Sequence, residues 1–193
     1  SERARELAGE SGIDYRSPIF AIHKRGHYGG IVGLPYDDHQ GYRDLVKTAK
    51  LRGADFIKIM ISGIMEFDTF GKLTEEGLEA DEIAYLIGTA HDAGLRVMAH
   101  GNGDAVAHAA LNAGVDTLEH GNYMEEETLC QLAESETIWV PTFAPIGNLI
   151  GCGRFPDGQV KAILARQQEA VQFAFTRGAR IGLGSDSGAY LVS

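Results

Sequence analysis

The sequence is poor in the residues that mark secreted, membrane-spanning and nucleic-acid-binding proteins. It has only 2 cysteines, Cys130 and Cys152, which show neither a disulfide framework nor a zinc-finger spacing and instead predict a reducing cytoplasm. No apolar run is long enough to span a bilayer, so no membrane partner is expected. Lysine and arginine total 17 against 27 acidic residues, for a formal net charge of -10, which argues against nucleic-acid binding. The chain also lacks an initiator methionine and a signal peptide, and we expect it to be cut at both ends.

What the sequence does contain is a repeated unit. An amphipathic helix ends at a small residue and a glycine, a short apolar strand follows, and the strand stops at a polar residue before a glycine-rich loop. The clearest copies cover residues 51–60, 93–101, 113–121 and 177–188. Glycine at a helix end followed at once by a buried strand is typical of parallel sheets. Further strands near 18–23 and 137–142 bring the predicted number to six, and helices are expected over 40–50, 75–93, 104–112, 125–134 and 158–177.

The positions of the polar residues distinguish two α/β architectures. A doubly wound sheet concentrates its site at one switch point, whereas a (β/α)8 TIM barrel brings the carboxyl ends of all its strands to one face. Because ligand-type residues end several strands here, we expect part of a TIM barrel, with about six βα units corresponding to strands three to eight. A complete barrel needs about 250 residues. We therefore expect residues 1–193 to form one incomplete barrel domain, whose open edges would allow a homo-oligomer.

Lys58 interrupts the apolar run at 56–61, where an ammonium group without a partner would be costly to bury. A structural explanation is that its side chain reaches solvent or pairs with a carboxylate. Two functional explanations compete with this one. A neutral lysine could form a Schiff base with a carbonyl substrate, or carbon dioxide could carboxylate it to give an anionic bridging metal ligand.

His100 and His120 each end a predicted strand and precede glycine, which places both imidazoles at the mouth of the barrel. Neutral imidazole is a common zinc ligand. One such histidine alone is more often a hydrogen-bonded structural residue, but two in consecutive strands beside an unusual lysine favour metal binding. Asp186 lies in a Gly-Ser-Asp-Ser-Gly loop, where it would ordinarily form a turn. Its convergence with the other three residues favours a functional role.

Four segments, in this order, resemble a known family. They are Ile-Lys-Ile-Met-Ile-Ser-Gly at 57–63, Met-Ala-His-Gly at 98–101, Leu-Glu-His-Gly at 118–121 and Gly-Ser-Asp-Ser-Gly at 184–188. The chain resembles strands four, five, six and eight of the amidohydrolase superfamily, in its imidazolonepropionase-like and Xaa-Pro dipeptidase-like branch. This resemblance implies two divalent ions, expected to be zinc, bridged by a carboxylated Lys58. His100 and His120 would bind one ion and Asp186 the other.

The activity that the resemblance implies is hydrolysis of an amide or peptide C–N bond by a metal-activated hydroxide, with Asp186 carrying the proton. A lysine on strand four favours a dipeptidase or an N-acyl amino acid hydrolase, so the expected partner is a small molecule of that class. His27 is expected to be catalytic, through contact with the substrate carbonyl or the tetrahedral intermediate. Tyr123 is expected to contact the substrate, although an aromatic side chain packed under a loop is an equal alternative. Two other functions stay open: a Schiff-base lyase that uses Lys58, and a non-catalytic barrel fragment.

One motif of the family has no counterpart in this sequence. The His-x-His pair on the first strand, which supplies ligands to the second ion, would lie upstream of residue 1. His23 and His27 have a different spacing and follow a later strand. We therefore expect the isolated chain to be inactive.

Overall fold

Seven parallel strands form one open sheet in the computed structural model, which describes residues 2–192. The strands are β1 (Ala21–Lys24), β2 (Gly33–Tyr36), β3 (Phe56–Met60), β4 (Arg96–Gly101), β5 (Thr117–His120), β6 (Ile138–Val140) and β7 (Arg180–Ile181). Their order across the sheet is β2-β1-β3-β4-β5-β6-β7, and each neighbouring pair is parallel. Within the described residues β2 and β7 are free edges, so the sheet does not close. The predicted parallel α/β architecture is confirmed.

Helices connect most of the strands. They are α1 (Glu2–Glu10), α2 (His39–Leu51), α3 (Ala80–Asp92), α4 (Asp104–Asn112), α5 (Glu126–Glu134), α6 (Ala144–Gly147) and α7 (Asp157–Thr176). α4 has the predicted bounds, and α2, α5 and α7 differ from prediction by at most one residue at either end. In this part of the chain no helix is long and apolar enough to cross a membrane.

α3 begins later than the predicted residue 75, and α1 and α6 were not predicted. The segment before α3 is held extended against the end of β3, because Thr74 N donates to Ile64 O at 2.8 Å and Leu78 N donates to Ile61 O at 2.9 Å. These backbone bonds keep the chain near the sheet until Glu79, whose extended conformation precedes the helix.

The prediction of six strands was wrong by one, because Gly33–Tyr36 forms β2. Glycine and proline lower strand propensity, so this segment gave no strand signal. β2 pairs only with β1, and Pro35 is tolerated because an edge strand does not need every backbone donor. The strand predicted from residue 18 begins at Ala21, since Ile19 has a left-handed φ of 69° that bends the chain just before it.

The main apolar core lies between the sheet and the helices packed on it. Ile57 and Ile59 of β3 pack in one cluster with Leu86 and Ile87 of α3, and each is exposed by 1% or less. Full burial of such a side chain contributes about 1.5–3 kcal/mol. This packing fixes β3 and its neighbours, and with them the side chains that follow the strands.

Candidate metal centre

Two histidines from adjacent strands face each other at the carboxyl edge of the sheet. β4 and β5 pair in a register that sets His100 beside Glu119 and Gly101 beside His120. The ring centroids of His100 and His120 lie 4.6 Å apart, with the rings inclined by 66°. The structure therefore brings together two of the predicted metal ligands.

The backbone of His120 makes this contact possible. Alternate residues of a strand face opposite sides of a sheet, so His120 would share the side of Leu118, which is buried under the helices. A left-handed φ of 69° at His120 ends this alternation. Trp139 Nε1 at 2.9 Å and Gln167 Nε2 at 3.1 Å both donate to the His120 carbonyl and hold the unusual conformation.

Both imidazoles are neutral near pH 7. Burial, with a smaller effect of the Lys58 charge, lowers the pKa of His100 to about 3. Burial also lowers the pKa of His120 well below its ordinary value, with help from His100 and Lys58. Neutral imidazole is the form that binds metals.

The hydrogen bonds of each ring determine which nitrogen is free to bind a ligand. His100 Nε2 donates to Gly63 O at 3.2 Å, and because a carbonyl only accepts, the lone pair of the neutral ring is on Nδ1. His120 Nδ1 lies 2.6 Å from the Thr142 hydroxyl, which leaves Nε2 for a ligand. A ring held through its second nitrogen in this way is typical of metal-binding histidines.

Lys58 lies partly buried on β3, within electrostatic range of both histidines. Burial lowers the pKa of Lys58 to about 8, although Glu119 and Asp186 each favour its charged form. A substantial fraction of the amine is therefore neutral at physiological pH. This protonation state fits both functional explanations of Lys58, the carboxylated ligand and the Schiff base.

Asp186 reaches the site from the loop after β7. It lines a cavity of about 330 Å³ together with His100 and His120. Its backbone is also left-handed, with φ 55°. Tyr28 lines the same cavity and stacks on His100, with ring centroids 4.7 Å apart.

The residues fit a metal ion in their chemistry, although they do not form a complete set. Among residues 2–192 no group of three or more His, Cys, Asp and Glu side chains is arranged to hold an ion. Two neutral imidazoles with free nitrogens at one cavity are nevertheless the donors that zinc prefers. Lys58 would add oxygen donors only after carboxylation.

No protein-family model matches the chain. An uncharacterized protein of Mycobacterium tuberculosis is 32% identical over 114 residues, covering 56% of this chain and 31% of that protein. Ochratoxinase of Aspergillus niger is 28% identical over 192 residues, covering 95% of this chain and 38% of ochratoxinase.

Solved structures give the same picture for the fold. Ochratoxinase of A. niger superposes with a TM-score of 0.76 at 23% identity, covering 94% of this chain and 49% of that one. A Xaa-Pro dipeptidase superposes with a TM-score of 0.74 at 20% identity, covering 98% of this chain and 52% of the dipeptidase. A structure described as an amidohydrolase has a TM-score of 0.70 at 23% identity, covering 95% and 52%. Sequence and fold thus identify the same relatives. The chain therefore shares the fold of ochratoxinase, a Xaa-Pro dipeptidase and an amidohydrolase.

These likenesses confirm the predicted partial TIM barrel, because the open sheet matches part of the larger solved chains. The chain spans about a third of the length of the curated relatives and about half the length of the solved ones. The shared region includes β3, β4 and β5, which carry Lys58, His100 and His120.

Two residues predicted to contact substrate lie outside the lining of this cavity. His27 is largely exposed, and its Nδ1 lies 3.7 Å from Glu75 Oε1. Tyr123 packs edge-on against Phe70, with ring centroids 5.6 Å apart. Both substrate contacts stay predictions.

Sequence reasoning missed a polar network that ties three loops of the site together. Asn102 donates from its backbone to Ser62 Oγ at 2.7 Å and from Nδ2 to Gly63 O at 3.0 Å. Its Oδ1 accepts from Asn122 Nδ2 at 3.0 Å. The signal was present in the sequence, since His-Gly-Asn occurs at both 100–102 and 120–122.

Glu119 was also missed. It is buried, and this burial raises its pKa, although the nearby Lys58 has the opposite effect. Strand periodicity would have identified it, because Glu119 shares the inner side of the sheet with its register partner His100.

Proposed function

We propose that the intact protein is a metal-dependent hydrolase of amide or peptide C–N bonds, and that residues 1–193 belong to its barrel domain. The observation that carries the proposal is the pair of neutral imidazoles of His100 and His120, 4.6 Å apart, on the cavity that Asp186 also lines. One similar structure points to small peptide substrates, because it is described as a Xaa-Pro dipeptidase with methionine bound in its active site. We therefore propose a dipeptide or an N-acyl amino acid as substrate. A cytoplasmic location is part of the same proposal, on the ground of the free cysteines.

A bound divalent ion, which we propose to be zinc, supplies Lewis acidity and lowers the pKa of a water molecule towards neutrality. His100 would hold it through Nδ1 and His120 through Nε2, the nitrogens that their hydrogen bonds leave free. Lys58 would react as the neutral amine: its nitrogen bonds to the carbon of CO2 and releases a proton. The resulting carbamate of Lys58 would supply oxygen donors to a metal ion.

Asp186 is proposed to move the proton of the reaction. Asp186 lines the cavity and is exposed to solvent, so its carboxylate can exchange a proton with water, as a general base must. It would take a proton from the attacking water and deliver it to the nitrogen of the departing amine. His27 would contact the substrate carbonyl, and Tyr123 would contact the substrate beside His120.

A Schiff-base lyase is the second candidate, and the pKa of Lys58, lowered to about 8, supports it as well. A lyase needs a neutral lysine that attacks a carbonyl and no metal ligands. That chemistry does not require two imidazoles that face each other with free nitrogens, so we rank the lyase below the hydrolase. A non-catalytic barrel is the third candidate.

Metal content by plasma mass spectrometry tests the hydrolase. We expect about two divalent ions per chain in the intact protein, as in two-metal sites, and their loss in His100→Ala and Lys58→Ala. His108→Ala is the matched control, because His108 is exposed on α4. Ions that remain in both site variants would contradict the proposal.

Borohydride reduction separates the remaining candidates. Trapping of a carbonyl substrate on Lys58, found by peptide mass analysis, would establish the lyase. Bound metal, hydrolysis of N-acyl amino acids and no trapping would establish the hydrolase. A protein with neither metal nor trapping would be a barrel without catalytic activity.

A further inference from the structure

The cavity beside the paired histidines has an apolar wall and a single cationic side chain. Its apolar lining comes from the loop after β3, from α6 and the segment that follows it, and from the last loop. These residues are Ile64, Met65, Phe67, Pro145, Leu149, Phe155, Ala189 and Tyr190. Arg154 and Asp186 supply the full charges among the described lining residues. A ligand here meets one cation and a hydrocarbon surface.

Aromatic rings hold the Arg154 guanidinium in place. Its Cζ lies 4.8 Å from the ring centroid of Tyr190 and 5.2 Å from that of Phe155. Contacts of this kind orient a guanidinium over a ring face without using its N–H groups. The last loop, which carries Tyr190, is itself anchored, since Asn148 Nδ2 donates to Leu191 O at 2.7 Å.

Arg154 has no acidic partner among residues 4–192. No carboxylate lies within 4.0 Å of its guanidinium in this part of the chain. Asp157, the acidic residue nearest in sequence, instead accepts from Gly151 N at 2.8 Å. The N–H donors of Arg154 are therefore available to a ligand.

We infer that Arg154 recognises the free carboxylate of an amino acid whose amide nitrogen is the leaving group, and that the apolar wall receives its side chain. This inference rests on the proposed hydrolase and names its substrate class: peptides or N-acyl amino acids that end in an apolar residue with a free carboxylate. The planar guanidinium matches a carboxylate in a bidentate pair, which a lysine cannot reproduce. Arg154 thus determines specificity, and the histidines and Asp186 carry the reaction.

Binding of L-phenylalanine and L-phenylalaninamide, measured by calorimetry on the intact protein, tests the inference without turnover. The two probes differ in the carboxylate, which the amide lacks. We expect wild type to bind the acid at least about tenfold more tightly, a difference of about 1.4 kcal/mol. Arg154→Met should remove this preference by weakening only the acid, and Arg154→Lys should keep part of it.

Arg177→Met is the matched control, because Arg177 also stacks on an aromatic ring, that of Phe173, but does not line the cavity. It should leave the preference for the acid intact. Equal affinity of wild type for the two probes, binding of neither, or a preference that survives in Arg154→Met would overturn the inference. Thermal unfolding of each variant verifies that the fold is retained.

Activity measurements distinguish failure of the inference from failure of the proposed function. Cleavage of N-acetyl-L-phenylalanine and of its C-terminal amide with equal kcat/KM would overturn the role of Arg154 while upholding the hydrolase. An Arg154-dependent preference in binding, without hydrolysis of either compound by the metal-loaded protein, would uphold the carboxylate site and refute the hydrolase.

Discussion

The hydroxyl of Thr142 lies 2.6 Å from Nδ1 of His120, and both residues have left-handed backbone conformations, with φ 52° and 69°. Thr142 follows β6, whereas His120 ends β5. The hydrogen bond therefore links the ends of two neighbouring strands and orients the imidazole of His120, whose Nε2 it leaves free for a ligand. Thr142 acts on any bound ion through His120.

Thr142→Val should weaken zinc binding by about 10–100-fold, the effect typical of losing a residue that orients a metal-bound histidine. Valine keeps the size and branching of threonine but cannot hold His120 Nδ1. Competition with a chromophoric chelator measures the affinity. Thr142→Ser retains the hydroxyl and should bind zinc like wild type; equal affinity in all three proteins would contradict the role assigned to Thr142.

Gly121→Ala should destabilise the fold by more than Gly114→Ala. Both glycines have positive φ, at 59° and 76°, so each substitution meets the left-handed penalty of about 1–2 kcal/mol. At Gly121 a Cβ would also lie 2.5 Å from Trp139 Nε1 and 2.9 Å from Met124 Cε, whereas at Gly114 nothing lies within 4 Å. Urea unfolding should show that Gly121→Ala lowers the free energy of unfolding more than Gly114→Ala does. The expected difference is ~1–3 kcal/mol, because the added Cβ overpacks the site. Equal losses of unfolding free energy in the two variants would contradict this prediction and would show that the loop at Gly121 moves to make room for the Cβ.

Asn102→Ala should lower the free energy of unfolding by about 2–4 kcal/mol, because it leaves the backbone N and the Nδ2 of buried Asn122 without their acceptor. Gly63 O loses the hydrogen bond from Asn102 Nδ2 but still accepts from His100 Nε2. His108→Ala, at an exposed position on α4, is the control and should change stability by no more than about 0.5 kcal/mol. Chemical denaturation of the two variants provides the comparison, and a similar small effect in both would mean that water replaces the network.

Stability should fall in acid partly through Glu82. Burial acts to raise its pKa, but hydrogen bonds from Lys24 at 2.6 Å and Tyr36 at 2.8 Å outweigh burial and lower it from the ordinary 4.5. A carboxyl group with a lowered folded-state pKa stabilises the fold above its unfolded pKa, and this stability disappears as the pH falls through the folded value. Glu82→Gln should therefore destabilise at pH 7, and its difference from wild type should shrink below pH 4.5.

The control for this pH dependence is Glu169→Gln, at an exposed position on α7. Its unfolding free energy should follow that of wild type across the pH range. If the gap between wild type and Glu82→Gln were constant from pH 7 to acid, the contribution of Glu82 would be packing and not ionisation.

The strands with strong apolar patterns could be predicted from sequence, because a buried parallel strand leaves a run such as that around Ile57 and Ile59. β2 could not be predicted, because its glycine and proline are tolerated only at the edge of the sheet. That edge position is set by the tertiary structure and not by the local sequence. The strand ends correctly marked His100 and His120 as neighbours. The reversal of His120 onto the inner face could not be predicted, because it depends on a left-handed backbone held by Trp139 and Gln167 from later parts of the chain.

Asn102 and Glu119 show a different kind of omission. Both lie within two residues of a predicted histidine, and both could have been predicted as site residues from the sequence. The repeated His-Gly-Asn indicates Asn102, and the alternation of strand residues indicates Glu119. Arg154 gave no such signal. It lies in an irregular segment between α6 and α7, and only the folded chain brings it to the cavity shared with His100 and Asp186.

The left-handed conformations of His120, Thr142 and Asp186 imply that the stability of the fold and the function of the site make opposite demands on these three positions. A non-glycine residue in this conformation costs about 1–2 kcal/mol, and glycine adopts it freely. Selection for thermal stability alone would favour glycine at these three positions. The resulting protein would be more stable but would lack these three side chains of the site. A library sorted only for heat resistance should therefore lose these three residues early, whereas one sorted for ligand capture should keep them.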